Sequence, residues 1–100
     1  MAVQRLDNDA RDAALKQLPE WTYDASAGGI TRQFEFADFC GAFAFMTHVA
    51  ILAEKADHHP EWSNVYNKVD ILLTTHDADG LSQRDIDLAR QIGAIDDHSA

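Results

Sequence analysis

Residues 38–75 read DFCGAFAFMTHVAILAEKADHHPEWSNVYNKVDILLTT, and they carry two patterns back to back. From Asp38 to Asp57 apolar residues recur at helical spacing. Phe39, Phe43, Met46, Ala50 and Ala53 fall at i, i+4, i+7, i+11 and i+14, which predicts one buried stripe. Asp38 is a fitting N-cap, and Pro60, which cannot continue a helix, is expected to stop it. Beyond Pro60 the period changes to two. Glu61–Tyr66 and Lys68–Thr75 read as a hairpin around Asn67, with Val69, Ile71 and Leu73 alternating as its core face.

The helix has a second apolar side, made by Phe45, Val49 and Leu52. A helix apolar on two sides needs two partners. One is the sheet of its own domain. The other is either a second subunit, making a homodimer or homotetramer, or the N-terminal helix folded across it. Upstream, Trp21-Thr22-Tyr23 and Ile30–Phe36 flank Gly28-Gly29 and read as another hairpin. Ile30, Phe34 and Phe36 share its inner face, which Arg32 interrupts. Asp7–Leu18 carries Ala10, Ala14, Leu15 and Leu18 at helical spacing, and Pro19 ends it.

Downstream, Ser82 and Asp85 resemble a capping box, and Leu88, Ile92 and Ile95 give the following helix its apolar stripe, to about Ile95. The order is helix, two strands, helix, two strands, helix. Hairpins rather than crossovers imply an antiparallel sheet, so the expectation is an α+β two-layer fold. A four-stranded antiparallel sheet would carry the helices on one face, as a single domain over residues 1–100.

Composition narrows the function. With 46% hydrophobic and 25% charged residues among 100, the chain suits one globular domain. Lys and Arg number 8 against 17 Asp and Glu, a net charge of −9. Such a surface repels phosphate backbones and anionic lipid, so neither nucleic acid nor membrane is an expected partner. The single cysteine, Cys40, excludes an internal disulfide and a Cys-based zinc site. Met1–Asp12 lacks the apolar segment of a secretory signal. The stretch Ala42–Ala53, interrupted by Thr47 and His48, is shorter than the roughly 20 residues of a membrane span. A cytoplasmic protein with a free thiol is expected.

Five histidines are the unusual count, because imidazole is the side chain that ordinarily exchanges protons near neutral pH. The dense cluster is Glu54-Lys55-Ala56-Asp57-His58-His59-Pro60. Glu54 and His58 stand four apart, so on a continuing helix the carboxylate would orient the imidazole. Two histidines at a helix C-terminus also suit simple capping. His76 follows the last strand, in a loop. Asp85 shares the stripe of Leu88 and Ile92, so it caps its helix, faces a pocket, or both. His48 reads as a core or interface residue, His98 as a terminal one, and Trp62 and Tyr66 as sheet or pocket-wall aromatics. Adjacent histidines seldom ligate one ion together, and no HExxH or His-x-His pattern is present, so no metal is expected. No GxSxG is present either.

The run Glu54, His58-His59-Pro60, Tyr66, His76, Asp85 resembles the signature of the pterin-4a-carbinolamine dehydratases. The stretch His58-His59-Pro60-Glu61-Trp62-Ser63-Asn64-Val65-Tyr66-Asn67-Lys68-Val69 is similar to that family almost residue for residue, and the element order resembles its fold. The resemblance implies a hydro-lyase without metal or cofactor. Its substrate is the 4a-hydroxytetrahydropterin left by an aromatic amino acid hydroxylase, and its products are quinonoid dihydropterin and water. It implies acid/base roles for His58 and His76, on opposite faces or stereoisomers of the substrate. His59 would bind the pterin and share proton transfer. Glu54 would orient His58, and Asp85 would support the pocket near His76. His58, His59 and Pro60, with Thr75, His76, Asp77 and Ala78, would line the site. Animal members also bind the dimerisation helices of a transcription factor, so the apolar helix 39–53 is a candidate surface for a protein partner.

Overall fold

The structure, a computed structural model, describes residues 3–99, with side chains through Asp96. Three helices, α1 (Asn8–Lys16), α2 (Phe39–Ala56) and α3 (Gln83–Ser99), accompany four strands. These are β1 (Thr22–Asp24), β2 (Gly29–Glu35), β3 (Glu61–Val65) and β4 (Lys68–Leu73), and a short 3₁₀ turn spans His76–Ala78. The sheet order is β1-β2-β4-β3 with every neighbour antiparallel. The helices cover one face, as expected. The other presents Thr31, Gln33, Ser63 and Asp70.

The elements start where the sequence places their caps. The Asp7 carboxylate accepts from the Ala10 N–H and the Asp38 carboxylate from the Gly41 N–H, each at 2.8 Å. Ser82 and Asp85 form the capping box reciprocally. The Ser82 hydroxyl accepts from the Arg84 N–H, and Asp85 Oδ2 accepts from the Ser82 N–H at 2.9 Å. Val69, Ile71 and Leu73 are buried on one face of β4, opposite Phe34, Arg32 and Ile30 of β2. Arg32 stays on that face because its guanidinium lies over the Phe34 ring at 4.3 Å and pairs with Asp96 of α3 at 3.2 Å.

The buried stripe of α2 is not the one its spacing suggests. Ala42, Phe45, Val49 and Ala53 pack on the sheet, with Phe45 stacked 4.7 Å from Phe34 and 4.9 Å from Phe36. Phe39 and Phe43 are about half exposed, at 49% and 56%, as is Ile51 at 55%, and Ala50 is exposed too. Both stripes are apolar, so hydropathy does not distinguish them. The rings of Phe34 and Phe36 both take Phe45 in tilted contact, which turns the side that carries it inward. Nor does α1 cover the outer side, which stays open. By length and apolarity α2 could cross a bilayer, yet its inner stripe is spent on the sheet. His48 is exposed on it and so is not a core residue. The helix ends at Asp57, as its pattern predicts, and is stopped there by its own cap before Pro60 is reached. Asp57 adopts a left-handed conformation, φ 52°, and the His58 N–H bonds back to the Ala53 carbonyl at 3.0 Å.

Candidate active site

Asp57 decides where the two adjacent histidines go. A left-handed residue breaks the helical register, so His58 leaves the Glu54 face and turns beneath the helix ends. It is buried there, and its Nε2 lies 2.6 Å from Oδ1 of the wholly buried Asp85. The other carboxylate oxygen, Oδ2, accepts from the Thr75 hydroxyl at 2.8 Å and from the Ser82 N–H at 2.9 Å. The Thr75 and Ser82 hydroxyls meet at 2.6 Å. The proton count orders this chain. Thr75 spends its hydrogen on the carboxylate, so the Ser82 hydroxyl donates to Thr75. With Oδ2 accepting from Thr75 and Ser82, Oδ1 is the acceptor that faces His58 Nε2, and Nδ1 is the ring nitrogen not held by Asp85.

His59 points the other way. Its Nε2 meets Glu54 Oε1 at 2.7 Å in the open, with both side chains more than half exposed. Glu54 therefore serves His59 rather than the expected His58. Asp85 serves His58 and also, through the Thr75 hydroxyl, the root of the loop that carries His76. His76, in the 3₁₀ turn just past β4, pairs with Glu61 Oε2 at 3.2 Å. Glu61 opens β3, which runs antiparallel to β4, so the start of one strand lies beside the end of the other. The sequence reading did not single it out.

The three imidazoles share one open cleft of about 250 Å³. His58, His59, Thr75, His76 and Asp77 line it as expected. Pro60 and Ala78 do not, whereas Asp57, Thr74 and Arg84 do. Arg84 follows from its place between the capping residues Ser82 and Asp85, a local signal that could have pointed to it. The loop bearing His76 is held at its root, where the Thr75 N–H donates to the Gly80 carbonyl at 3.1 Å and the Thr75 carbonyl accepts from the Gly80 N–H at 3.3 Å. A larger hollow of about 460 Å³ lies on the open sheet face around Thr31, Gln33, Ser63 and Asp70. It holds no imidazole, so the chemistry points to the smaller cleft. Among the described residues no three of His, Cys, Asp and Glu are arranged to hold a metal ion. The side chain of His98 lies outside the described residues. Trp62 is half-buried on the helix-covered face, and Tyr66 is exposed at the β3–β4 turn.

Three imidazoles thus line one cleft, each with Nε2 beside a carboxylate oxygen. Comparisons with known proteins give the family. The sequence matches the pterin 4 alpha carbinolamine dehydratase family over residues 4–95. A relative from Rhizorhabdus wittichii, assigned by name to the pterin-4-alpha-carbinolamine dehydratases, is 58% identical over 95 residues, covering 95% of this chain and 98% of its own. Another so named, from Novosphingobium aromaticivorans, is 59% identical over 90 residues, covering 90% and 94%. The crystal structure of a transcriptional coactivator/pterin dehydratase from Brucella melitensis superposes with a TM-score of 0.89 at 45% identity, over 93% of this chain and 99% of that one. With the fold, the histidine run and nearly the full length in agreement, the chain belongs to the pterin-4a-carbinolamine dehydratase family.

Proposed function

We propose that this protein dehydrates a 4a-hydroxytetrahydropterin to quinonoid dihydropterin and water by imidazole acid/base catalysis. The observation that carries the reading is the gathering of His58, His59 and His76 around one cleft, each with Nε2 on a carboxylate and Nδ1 left over. The substrate carries hydroxyl and nitrogen on one carbon. The N5 lone pair pushes out the hydroxyl as the C4a–O bond breaks, forming a C4a=N5 double bond. Hydroxide is a poor leaving group, so a protonated imidazole delivers a proton to it and water departs. A second imidazole takes the proton that the cationic ring must lose to become the neutral quinonoid product. Buried His58, its Nε2–H held by Asp85, presents Nδ1 as one exchange group. His76, which lines the same cleft, is the other, and His59 holds the ring and shares proton transfer. The substrate source is an aromatic amino acid hydroxylase that has used its pterin, so the activity serves pterin recycling.

The test is turnover of chemically generated carbinolamine. His58→Ala and His76→Ala are each expected to lose about 10²- to 10⁴-fold, the range for a well-placed acid or base, with circular dichroism unchanged. His58→Gln, which keeps an N–H for Asp85, guards against misfolding in the alanine variant. Undiminished turnover in both positions would remove the assignment.

A second reading is favoured by the outer face of α2, where Phe39, Phe43 and Ile51 stand about half exposed. Apolar area of this kind marks association surfaces. A homodimer or homotetramer built on this face is the preferred form, and a helical protein partner is the alternative. Light scattering after size exclusion separates them, and Phe43→Glu should yield monomers.

A further inference from the structure

The cleft that gathers the imidazoles does not stop at His76. Thr74 and His76 also line a second hollow of about 240 Å³ beneath the β1–β2 turn. Ala25, Gly28, Asp79 and Gly80 carry that hollow into a third, of about 400 Å³, whose wall includes Arg5 and Arg11. Through these shared lining residues the three hollows adjoin as successive parts of a groove. In its middle, beside Ser26, Thr74 and Asp79, two glycines present bare backbone. Gly28 and Gly80 have φ of +66° and +152°, and a Cβ built on Gly28 would come within 3.5 Å of the Gly80 Cα. A Cβ on Gly80 would strike Arg5 Cδ at 2.7 Å, so the missing side chain is what lets the arginine stem lie across the groove.

The two arginines are not equivalent. Arg11 is engaged by Asp12 and Asn8, each at 3.1 Å, and lies over the Tyr23 ring at 4.3 Å. Arg5 makes one bond, from Nη1 to the Asp79 carbonyl at 3.3 Å, and among the described residues it pairs with no carboxylate. Its remaining donors are free to take a ligand. Of the acids along the groove, Asp7 is spent on the Ala10 N–H, which also closes the N-terminus of α1 as an anion site. Asp79 flanks Arg5, and Asp77 stands at the imidazole end.

Resting on the dehydratase reading, we infer that this groove receives the 6-substituent of the pterin, and that the matching substrates end that substituent in an anion held by Arg5. Ring chemistry sets where the substituent starts. C6 is bonded to N5, which is bonded to the reacting C4a, so a 6-substituent leaves the ring beside the imidazoles. The groove departs from that point, at His76. A carboxylate or a phosphate ester suits a guanidinium equally in kind. The whole protein, at −9, repels anions, so any preference for an anionic tail must come from local cations.

The experiment measures binding of three stable 7,8-dihydropterins to the intact protein at low and high salt. One bears a neutral dihydroxypropyl chain, one the same chain phosphorylated at its end, and one is 7,8-dihydrofolate, whose tail ends in carboxylates. At low salt one or both anionic compounds should bind about fivefold tighter than the neutral one, and which of them does identifies the anion. The preference should disappear in Arg5→Gln and persist in Arg5→Lys. Equal affinity for all three overturns the groove while leaving the dehydratase reading intact. A preference that survives Arg5→Gln but is lost in Arg84→Gln also overturns it, because the anion would then sit in the imidazole cleft. Failure of every dihydropterin to bind removes both readings together.

Discussion

His58 and His59 are neighbours in the chain, and each places Nε2 on a carboxylate at nearly the same distance, 2.6 Å and 2.7 Å. Their surroundings are opposite. The side chains of His58 and Asp85 are 9% and 0% exposed, whereas those of His59 and Glu54 are 58% and 81% exposed. Distance therefore says little about what each contact contributes. In water an ion pair gains little beyond what hydration already gives each partner, about 0–1 kcal/mol. In the interior no water replaces a lost partner, so breaking a pair there costs about 3–5 kcal/mol. The buried pair fixes a ring, and the exposed one leaves its ring free to follow a ligand.

The hardest blow to that contrast is Asp85→Ala. It strands the His58 Nε2–H, the Thr75 hydroxyl and the Ser82 N–H in the interior at once. Urea unfolding should show a loss of about 3–5 kcal/mol, and turnover should fall about a hundredfold or more because His58 loses its fixed tautomer. A loss below about 1 kcal/mol would mean that the interior pair behaves like a surface one. Thr75→Val is milder, since Asp85 keeps its other two donors while the Ser82 hydroxyl loses its acceptor. About 1–3 kcal/mol should go, and turnover should drop with it. A stability change without any kinetic change would separate the hydroxyl chain from the chemistry.

Glu54→Gln probes the exposed partner. The expected stability change is under about 1 kcal/mol, with turnover held within about fivefold. An effect as large as that of Asp85→Ala would show that a ligand buries His59 and Glu54 together, which would erase the contrast in the occupied state.

The same pair of histidines shows how far sequence carries. The capping box of Ser82 and Asp85 was legible because its contacts span three residues and depend on no other element. The β4 core face was legible because a period of two admits only one inward set once one residue is buried. Glu54 with His58 was misread because i,i+4 geometry presupposes a helix that continues, and Asp57 at φ 52° ends it one residue too soon. Glu61 with His76 needs the β3–β4 register, a fact of pairing rather than of spacing. The side of α2 that turns inward depends on the rings of Phe34 and Phe36, which lie on another element. Family resemblance named the imidazoles, and only tertiary structure assigned their carboxylates.

Asp24 offers the faintest test, on a carboxylate held by donors at the surface. Its Oδ1 accepts from the Ser26 hydroxyl at 2.7 Å, the Ser26 N–H at 3.1 Å and the Ala27 N–H at 3.2 Å, closing the β1–β2 turn. The Ser26 hydroxyl first, then the Ala27 and Ser26 backbone donors, hold its carboxyl below the ordinary value of 3.8. A group whose folded value is depressed stabilises the protein above its unfolded value and ceases to do so as pH falls through the folded one. Asp24→Asn keeps an acceptor oxygen but has no proton to lose. The melting temperature of wild type should therefore exceed that of the variant at about pH 5, with the gap closing toward about pH 2. A gap that holds steady across that window would mean the turn is set by geometry alone. The charge on Asp24 would then do no more for the fold than the one on Glu54.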